Sequence, residues 1–435
     1  MLALCGCAYS LVHDGGVNRA KAEQIENGLQ KLRGLEFVTS VPIVVKNRDQ
    51  TERIMAAEIA RDHSDEELRI GGITGAMTGL YPHGIDLKGE TLKLLRSQIA
   101  GFYEPHAKEM VLVEDAVDLG FWNNATAFVT RRDVAGEALL AHELTHALQD
   151  QHFRIDASFE RIKDNDDESL ALKAVAEGDA TIAGLGYVSG QPVGSVIDSV
   201  VSHMAGLPES SAAEYPGVPE GLIEPLLFQY SAGVRFAAEA WRRGGWAAVN
   251  AVYAKPPRST QQIMQPALYF DRPSPPARIS LGGYQEMFKD WKQVDDDTYG
   301  ELLLSIILKR NLGPQAPALA TLPRWAGDRI IVLEKGQSLT LLWMVAFHDP
   351  ESAGKFGDAY RGILRHLPGE VSPYGVEVRS TSVFIVIGVG ANRFGQLAPV
   401  VWKFSTVMSA TPAGQPASPP HAEIAPSALA PASAG

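Results

Sequence analysis

Residues 142–153 read His-Glu-Leu-Thr-His-Ala-Leu-Gln-Asp-Gln-His-Phe, and the first five form an HExxH motif. Apolar residues recur at helical spacing from Arg132 to Phe153, so the pattern predicts that the motif lies on a helix. Residues four apart share one helix face, which puts His142 and His146 where both imidazoles can bind one Zn²⁺. Glu143 then lies beside the metal, where a carboxylate can take a proton from zinc-bound water. The simpler alternative is a surface helix whose polar residues bind nothing.

A catalytic zinc site needs a third protein ligand, with a fourth position left for water. One candidate is His152, ten residues after His142. This is the spacing of the metzincin signature HExxHxxGxxH, in which a glycine at the eighth position turns the chain and returns the last histidine to the metal. This chain has Gln149 at that position. We therefore expect the helix to continue and to point His152 away from the histidine pair.

The other candidate third ligand is Glu177, within residues 169–183, which read as a second helix. An acidic cluster suits the start of this helix: Asp164, Asp166, Asp167 and Glu168. Glu177 shares a helical stripe with small apolar residues, and a buried carboxylate needs a partner, of which a cation is the simplest. Gly178 and Ala180 are expected to let this helix approach the HExxH helix closely. The alternative is an exposed glutamate before a helix-weakening glycine.

HELTHALQDQHF at 142–153, followed by AVAEGDAT at 174–181, resembles the gluzincin-type zinc metallopeptidases. More narrowly, it resembles a family of mostly uncharacterised bacterial envelope proteins. In such families two motif histidines and a glutamate on the next helix bind zinc, and the motif glutamate is the base. The resemblance therefore implies three metal ligands and one general base: His142, His146 and Glu177 as ligands, and Glu143 as the base.

The resemblance extends over roughly residues 30–405, with less specific segments outside the motif. Residues 101–113 resemble the strand pair that precedes the active-site helix in zincins, whose edge strand aligns extended peptide substrates; by pattern they form a hairpin. In the envelope family, the segment matching residues 256–266 tends to read STEQ and then HP. This chain has Gln261, followed by Gln262, where the family has Glu and Gln, and it has Gln265 before Pro266, which argues against an acid-base or metal role for that loop.

Composition narrows the class of protein. The chain has 435 residues, is 45% hydrophobic and carries a net charge of −12, so it can bury a large core and lacks the basic character of a nucleic-acid-binding protein. No sequence run reaches the eighteen or so apolar residues of a membrane span. The two cysteines, Cys5 and Cys7, lie too close together to staple a domain.

Leu4-Cys5-Gly6-Cys7 has the shape of a bacterial lipobox. This predicts export to the cell envelope and membrane attachment through a lipidated Cys7. The residues before Cys7 are too few for a signal peptide, so this interpretation requires a longer precursor. The alternative is two incidental cysteines near a frayed terminus.

The predicted fold class is α+β. A truncated lipoprotein signal at 1–11 is followed by a zincin-like catalytic domain at 12–210, which combines a small mixed sheet, an active-site helix and a third-ligand helix. Residues 211–325 are mainly helical and complete the catalytic unit. An α+β appendage at 326–407 precedes a disordered Ala/Pro/Ser tail at 408–435. Further local patterns predict helices at 12–35, 51–63 and 86–98 and a strand at 37–45.

The sequence favours an exported zinc metallopeptidase, a hydrolase that cleaves a peptide or protein substrate through zinc-activated water with Glu143 as general base. Five residues are candidates for stabilising the oxyanion: Tyr103, Tyr187, His203, Tyr230 and Arg258. Two alternatives stay open. One is a non-catalytic envelope binding or assembly protein on a zincin scaffold, and the other is a zinc hydrolase of a non-peptide amide or ester.

Overall fold

The computed structural model describes residues 12–13, 16–98, 100–114, 134–206, 215–367 and 373–409. These residues form an α+β fold, as predicted. The predicted lipobox at 4–7 and the predicted tail beyond residue 409 lie outside the described residues. In the part of the chain that is described, no helix combines the length and the apolar character needed to cross a membrane.

The N-terminal half is mainly helical and carries one small mixed sheet. Its helices are α1 (Arg19–Arg33), α2 (Arg48–Asp62), α3 (Asp65–Thr78), α4 (Leu87–Gln98), α5 (Ala135–Phe153), α6 (Ile155–Ile162), α7 (Asp166–Ser189) and α8 (Val193–Ala205). Its strands are β1 (Val12–His13), β2 (Gly16–Val17), β3 (Ile43–Lys46), β4 (Gly101–Glu104) and β5 (Glu109–Val113). β5 lies between β3, which is parallel to it, and β4, which is antiparallel. β4 and β5 thus form the predicted hairpin, with β4 at the sheet edge.

The start of α7, the helix that carries Glu177, follows from its local sequence. The side chain of Asn165 accepts a hydrogen bond from the backbone N–H of Glu168, so it caps the helix. Three acidic residues in the first turn add favourable charge at the N-terminus. The helix ends at Gly190, whose left-handed backbone (φ 62) suits glycine.

The middle of the chain adds one long helix and several short elements: α9 (Glu220–Ala254), α10 (Thr260–Met264), α11 (Ala267–Phe270), β6 (Arg278–Ser280), β7 (Lys292–Asp297), α12 (Gly300–Leu312) and a 3₁₀ helix (Pro317–Arg324). α9 is kinked at Gly244 and Gly245, which both have non-helical torsions. The part of α9 before this kink packs against α7. α9 therefore packs along one side of the helix that carries Glu177.

The C-terminal part is built on a five-stranded antiparallel sheet. Its elements are β8 (Trp325–Lys335), β9 (Ser338–Phe347), α13 (Pro350–His366), β10 (Tyr374–Arg379), β11 (Ser382–Ile387), α14 (Ala391–Phe404) and β12 (Thr406–Met408). The strand order is β10-β11-β9-β8-β7. Alternate side chains reach opposite faces, so Ile330 and Val332 join the core that contains α12 and α13, while Ile331 and Leu333 pack with α14. Both faces of the sheet are therefore covered.

Several predicted boundaries are wrong. The helix predicted at 12–35 begins only at Arg19, after the β1–β2 pair, and the strand predicted at 37–45 is confined to β3. β7 lies within residues 211–325, most of whose described residues are helical, and pairs with β8. Its sequence, Lys-Gln-Val-Asp-Asp-Asp, has one apolar residue and no strand-like alternation. Pairing with a buried neighbouring strand overrides that local preference.

Candidate metal centre

The two motif histidines meet on one face of α5, as the sequence predicts. The Nε2 atoms of His142 and His146 lie 3.1 Å apart, and their ring centroids lie 4.7 Å apart in an edge-to-face arrangement. His142 is 2% exposed. Both side chains therefore present the same nitrogen to one small, largely buried volume.

Glu177 of α7 completes this cluster. Its Oε2 lies 3.1 Å from Nε2 of His142, and its Oε1 lies 3.6 Å from Nε2 of His146. The donor atoms of the three side chains all lie within 4.8 Å of one another. Two imidazoles and one carboxylate are a donor set that suits Zn²⁺ and leaves a fourth coordination position open. The residues present therefore fit a zinc ion.

The electrostatics of the cluster favour a cation. Burial opposes ionisation of Glu177, but the facing imidazoles, His146 first, outweigh it and lower the pKa of Glu177 below its ordinary value. Burial also disfavours charge on His146, yet the Glu177 carboxylate raises the pKa of His146 to about 9. A negative carboxylate thus favours positive charge at His146, which a metal ion can supply in place of a proton.

α5 and α7 approach closely because of Gly184. A β-carbon at this position would lie 2.8 Å from the carbonyl oxygen of Ala138 and 3.2 Å from the backbone nitrogen of His142. The expectation that Gly178 makes this approach is wrong: Gly178 faces α9, where a β-carbon would lie 2.1 Å from the carbonyl oxygen of Gly233. Helical periodicity alone does not say which of two neighbouring helices a small residue faces.

Glu143 lies next to the cluster and is held by the hairpin. The backbone N–H of Tyr103 in β4 donates to Oε2 of Glu143 at 3.0 Å. Glu143 is 8% exposed, and its burial raises the pKa of its carboxyl group above the ordinary value, against the opposing effect of His142 and His146. A raised pKa makes the carboxylate a better proton acceptor near neutral pH.

His152 lies away from the cluster, as expected. α5 continues without interruption to Phe153 and ends at Arg154, which has a left-handed backbone (φ 53). One ring nitrogen of His152, Nε2, lies 2.8 Å from the carbonyl oxygen of Glu36. His152 is therefore tied to the segment after α1, and Gln149 does not break the helix.

Among the five oxyanion candidates, Tyr230 has described contacts with the cluster. Its ring centroid lies 6.3 Å from that of His142. Burial raises the pKa of Tyr230 well above its ordinary value, and the charge of Glu177 and a hydrogen bond to that residue raise it further. A phenol that stays protonated remains a hydrogen-bond donor.

The side chains of three other candidates, Tyr103, Tyr187 and Arg258, have described contacts elsewhere. The hydroxyl of Tyr103 lies 3.0 Å from Oδ2 of Asp150, and Tyr187 packs against Gly28 of α1. Nε of Arg258 lies 3.7 Å from Oε1 of Glu168. Burial lowers the pKa of His203.

The loop that contains Gln262 and Gln265 is tied to neighbouring groups. Oε1 of Gln262 accepts from the backbone N–H of Arg258, and its Nε2 donates to the carbonyl oxygen of Leu268. Nε2 of Gln265 lies 3.1 Å from Oε2 of Glu301. These contacts stabilise the loop around α10.

A second group of potential ligands lies on the hairpin turn and α2. Donor atoms of Glu58, Glu104 and His106 also fall within 4.8 Å of one another. Here Arg61 already supplies positive charge, with an Nη1 atom 2.6 Å from Glu58 and 3.6 Å from Glu104. His106 is half-exposed. This group is therefore a surface ion-pair network rather than a counterpart of the buried cluster.

Sequence reasoning missed three residues that support the cluster: Gln149, Asp179 and Arg33. In the sequence, Gln149 stands out only as a departure from the metzincin signature. The signal that could have found Asp179 is its place two residues after Glu177, as a second carboxylate in an otherwise small and apolar stretch.

No protein-family model matches the chain, and no curated protein matches it in sequence. Among solved structures, the chain is similar to the crystal structure of a "putative hydrolase with a novel fold" from Chloroflexus aurantiacus. The two are 15% identical, with a TM-score of 0.40, and the match covers 59% of this chain and 90% of that chain. At this TM-score the likeness does not establish a shared fold.

Proposed function

We propose that this protein is a zinc-dependent metallopeptidase of the gluzincin type, with His142, His146 and Glu177 as metal ligands and Glu143 as general base. The observation that carries the proposal is the convergence of two imidazole nitrogens and one carboxylate within 4.8 Å. A further buried carboxyl group, that of Glu143, lies beside them without being needed as a ligand. A binding protein on the same scaffold would have no use for that base.

The chemistry follows from these side chains. Zn²⁺ held by the three ligands would polarise the scissile carbonyl and lower the pKa of a water molecule at the open position. Glu143 takes one proton from the attacking water and passes it to the amine nitrogen as the C–N bond breaks. One of its oxygens is held by the N–H of Tyr103, which fixes the carboxylate during both transfers.

Tyr230 is the residue we propose as the donor to the developing oxyanion. Its proximity to His142 and Glu177 supports this role. A fixed donor in a site of low dielectric can stabilise a transition state strongly.

The position of the hairpin supports a peptide as the substrate. Among the described strands, β4 pairs only with β5, so no described strand occupies its other edge. An extended peptide can bind a sheet edge through main-chain hydrogen bonds. We propose that residues 12–210 act as a zincin-like unit in which β4 aligns the substrate. Export and attachment through a lipidated Cys7 stay a prediction from residues 4–7.

The proposal is tested by measuring metal content by mass spectrometry together with hydrolysis of an unfolded protein. We expect about one zinc per chain in the wild type and in Glu143→Gln, with hydrolysis reduced by roughly 10²-fold or more in that variant. Glu137→Gln, in the first turn of the same helix, is the matched control and should hydrolyse at the wild-type rate.

Each contrary result selects another function. Equal hydrolysis by wild type and Glu143→Gln in a clean preparation would favour the non-catalytic scaffold. Cleavage of small esters or amides that depends on Glu143, without cleavage of unfolded protein, would favour the non-peptide hydrolase.

A further inference from the structure

Gln149 connects the candidate metal site to a buried ion pair. Its side-chain oxygen Oε1 lies 2.9 Å from Nδ1 of His146. Its Nε2 donates to the carbonyl oxygen of Ala176 at 2.9 Å and to Oδ2 of Asp179 at 3.0 Å. Gln149 is 1% exposed, so these protein groups, rather than bulk water, determine its orientation.

The contacts fix the direction of the Gln149 amide. The partners of its N–H groups are a carbonyl and a carboxylate, which can only accept. If the amide were rotated by half a turn, Oε1 would face these acceptors and buried polar groups would lose their partners, which is costly. Oε1 therefore faces His146. Because Oε1 can only accept, Nδ1 of His146 must carry a proton, which leaves Nε2 as the nitrogen available to a cation.

The carboxylate that orients Gln149 is itself held in place from two other helices. Oδ2 of Asp179 accepts two hydrogen bonds at 2.9 Å. One comes from Nη2 of Arg33 on α1, and the other comes from the hydroxyl of Tyr253 on α9. The side chains of Arg33 and Asp179 are fully buried. The same Nη2 also donates to Asn250 at 3.0 Å, and the guanidinium lies 4.1 Å from the ring centroid of Trp246. Side chains from α1, α7 and α9 therefore meet beside Gln149, behind the candidate ligand His146.

We propose that Gln149 is a positioning residue that fixes the Nδ1-protonated tautomer of His146, and that the Arg33–Asp179 ion pair sets the orientation of Gln149. The inference rests on the proposed function in taking His146 as a metal ligand. The tautomer itself, however, is a property of the metal-free protein. Groups that hold the outer nitrogen of a metal-bound histidine typically change metal affinity by roughly 10–100-fold when removed.

The first measurement is the zinc dissociation constant of the full chain, by competition with a chromophoric chelator. Gln149→Leu removes the accepting oxygen with little change in volume, and should raise the constant by roughly 10–100-fold. Gln151→Leu is the matched control: Gln151 lies on the same helix, and its hydrogen bonds within the described residues are to the main chain of Val38 and Thr39. It should bind zinc as the wild type does. Gln149→Met, an unbranched replacement, repeats the test if the leucine variant does not fold.

The second measurement needs no metal. We expect ¹⁵N imidazole spectra, recorded at a pH at which the ring is neutral, to show His146 protonated on Nδ1 in the wild type. In Gln149→Leu the proton should move towards Nε2, the form that free histidine prefers. The His146 signal is identified by its absence in His146→Ala.

A wild-type His146 protonated on Nε2, or a zinc dissociation constant of Gln149→Leu within about twofold of the wild type, would overturn the inference. Failure of the proposed function would give a different set of results. A protein that binds zinc in a Gln149-dependent way yet hydrolyses nothing supports the inference and contradicts the peptidase. If the wild type binds no zinc, the tautomer measurement alone decides whether Gln149 positions His146.

Discussion

Gly178 on α7 packs directly against Gly233 on α9, so that a β-carbon at position 178 would lie 2.1 Å from the carbonyl oxygen of Gly233. The reverse contact is equally close, with a β-carbon at position 233 lying 2.2 Å from the carbonyl oxygen of Ala174. Both clashes involve backbone, which cannot move aside as a side chain can. The contact sets the distance between the helix that carries Glu177 and the helix that carries Tyr230.

We expect Gly178→Ala to lower the free energy of unfolding by about 1–3 kcal/mol, because the two helices must separate. Zinc affinity should fall as well, since Glu177 is the adjacent residue. Gly362→Ala in α13 is the control: nothing lies within 4 Å of its β-carbon position, so alanine should be neutral or stabilising by up to about 1 kcal/mol. Urea unfolding of both variants makes the comparison. Equal stability of Gly178→Ala and the wild type would contradict the close packing.

The sequence predicts those parts of the site that depend on local spacing. His142, Glu143 and His146 lie on one helix, so helical geometry fixes their relation before any tertiary contact forms. The sequence pattern and the resemblance identify Glu177 as a candidate ligand, but they do not give its distance from the histidines. Gly178 shows the limit of such predictions. Which helix it contacts depends on how three helices pack together.

The parts of the site that depend on distant pairing could not be predicted. Arg33 and Asp179 are 146 residues apart, and their ion pair exists only because α1, α7 and α9 converge. For the same reason the sequence could not rank Tyr230 above the other oxyanion candidates. β7 is the equivalent case in the fold, since its strand character comes from β8 and not from its own residues.

If Tyr230 is the oxyanion donor that we propose, Tyr230→Phe should lower kcat by roughly 10²- to 10³-fold with little change in KM, because its hydroxyl would act on the transition state. The assay is run at saturating zinc so that any loss of the contact with Glu177 does not reduce metal occupancy. Tyr187→Phe removes a hydroxyl from a residue that packs against α1 and serves as the control. Full activity of Tyr230→Phe would remove this residue from the mechanism.

Asp295 in β7 should make stability depend on pH. Burial, with the neighbouring Asp166, raises the pKa of Asp295 to about 6. The folded protein therefore holds this proton more tightly than the unfolded chain, whose aspartates titrate near pH 3.9. The contribution of Asp295 to the free energy of unfolding is then most favourable below about pH 4 and is lost as the pH rises through about 6.

Asp295→Asn removes that loss, so the variant should exceed the wild type in stability by about 1–3 kcal/mol above pH 6 and match it near pH 4. Asp290→Asn, at an exposed position just before β7, should differ from the wild type by less than about 0.5 kcal/mol at either pH. Thermal unfolding of the metal-free proteins at pH 4 and 7.5 provides the measurement. A variant that is less stable than the wild type at pH 7.5 would show that the ionised carboxylate is needed.

The last prediction separates Glu177 from His152 as the third ligand. Glu177 lies within 3.1 Å of His142, whereas His152 contacts the carbonyl oxygen of Glu36 on the far side of an uninterrupted helix. Glu177→Ala should therefore lower zinc per chain sharply after dialysis, because two imidazoles alone do not hold the ion firmly. His152→Ala should keep about one zinc per chain and lose at most about 1 kcal/mol of stability, through the contact with Glu36. If His152→Ala lost its zinc while Glu177→Ala kept it, the helix would have to break near Gln149 in solution, and the gluzincin assignment would be wrong.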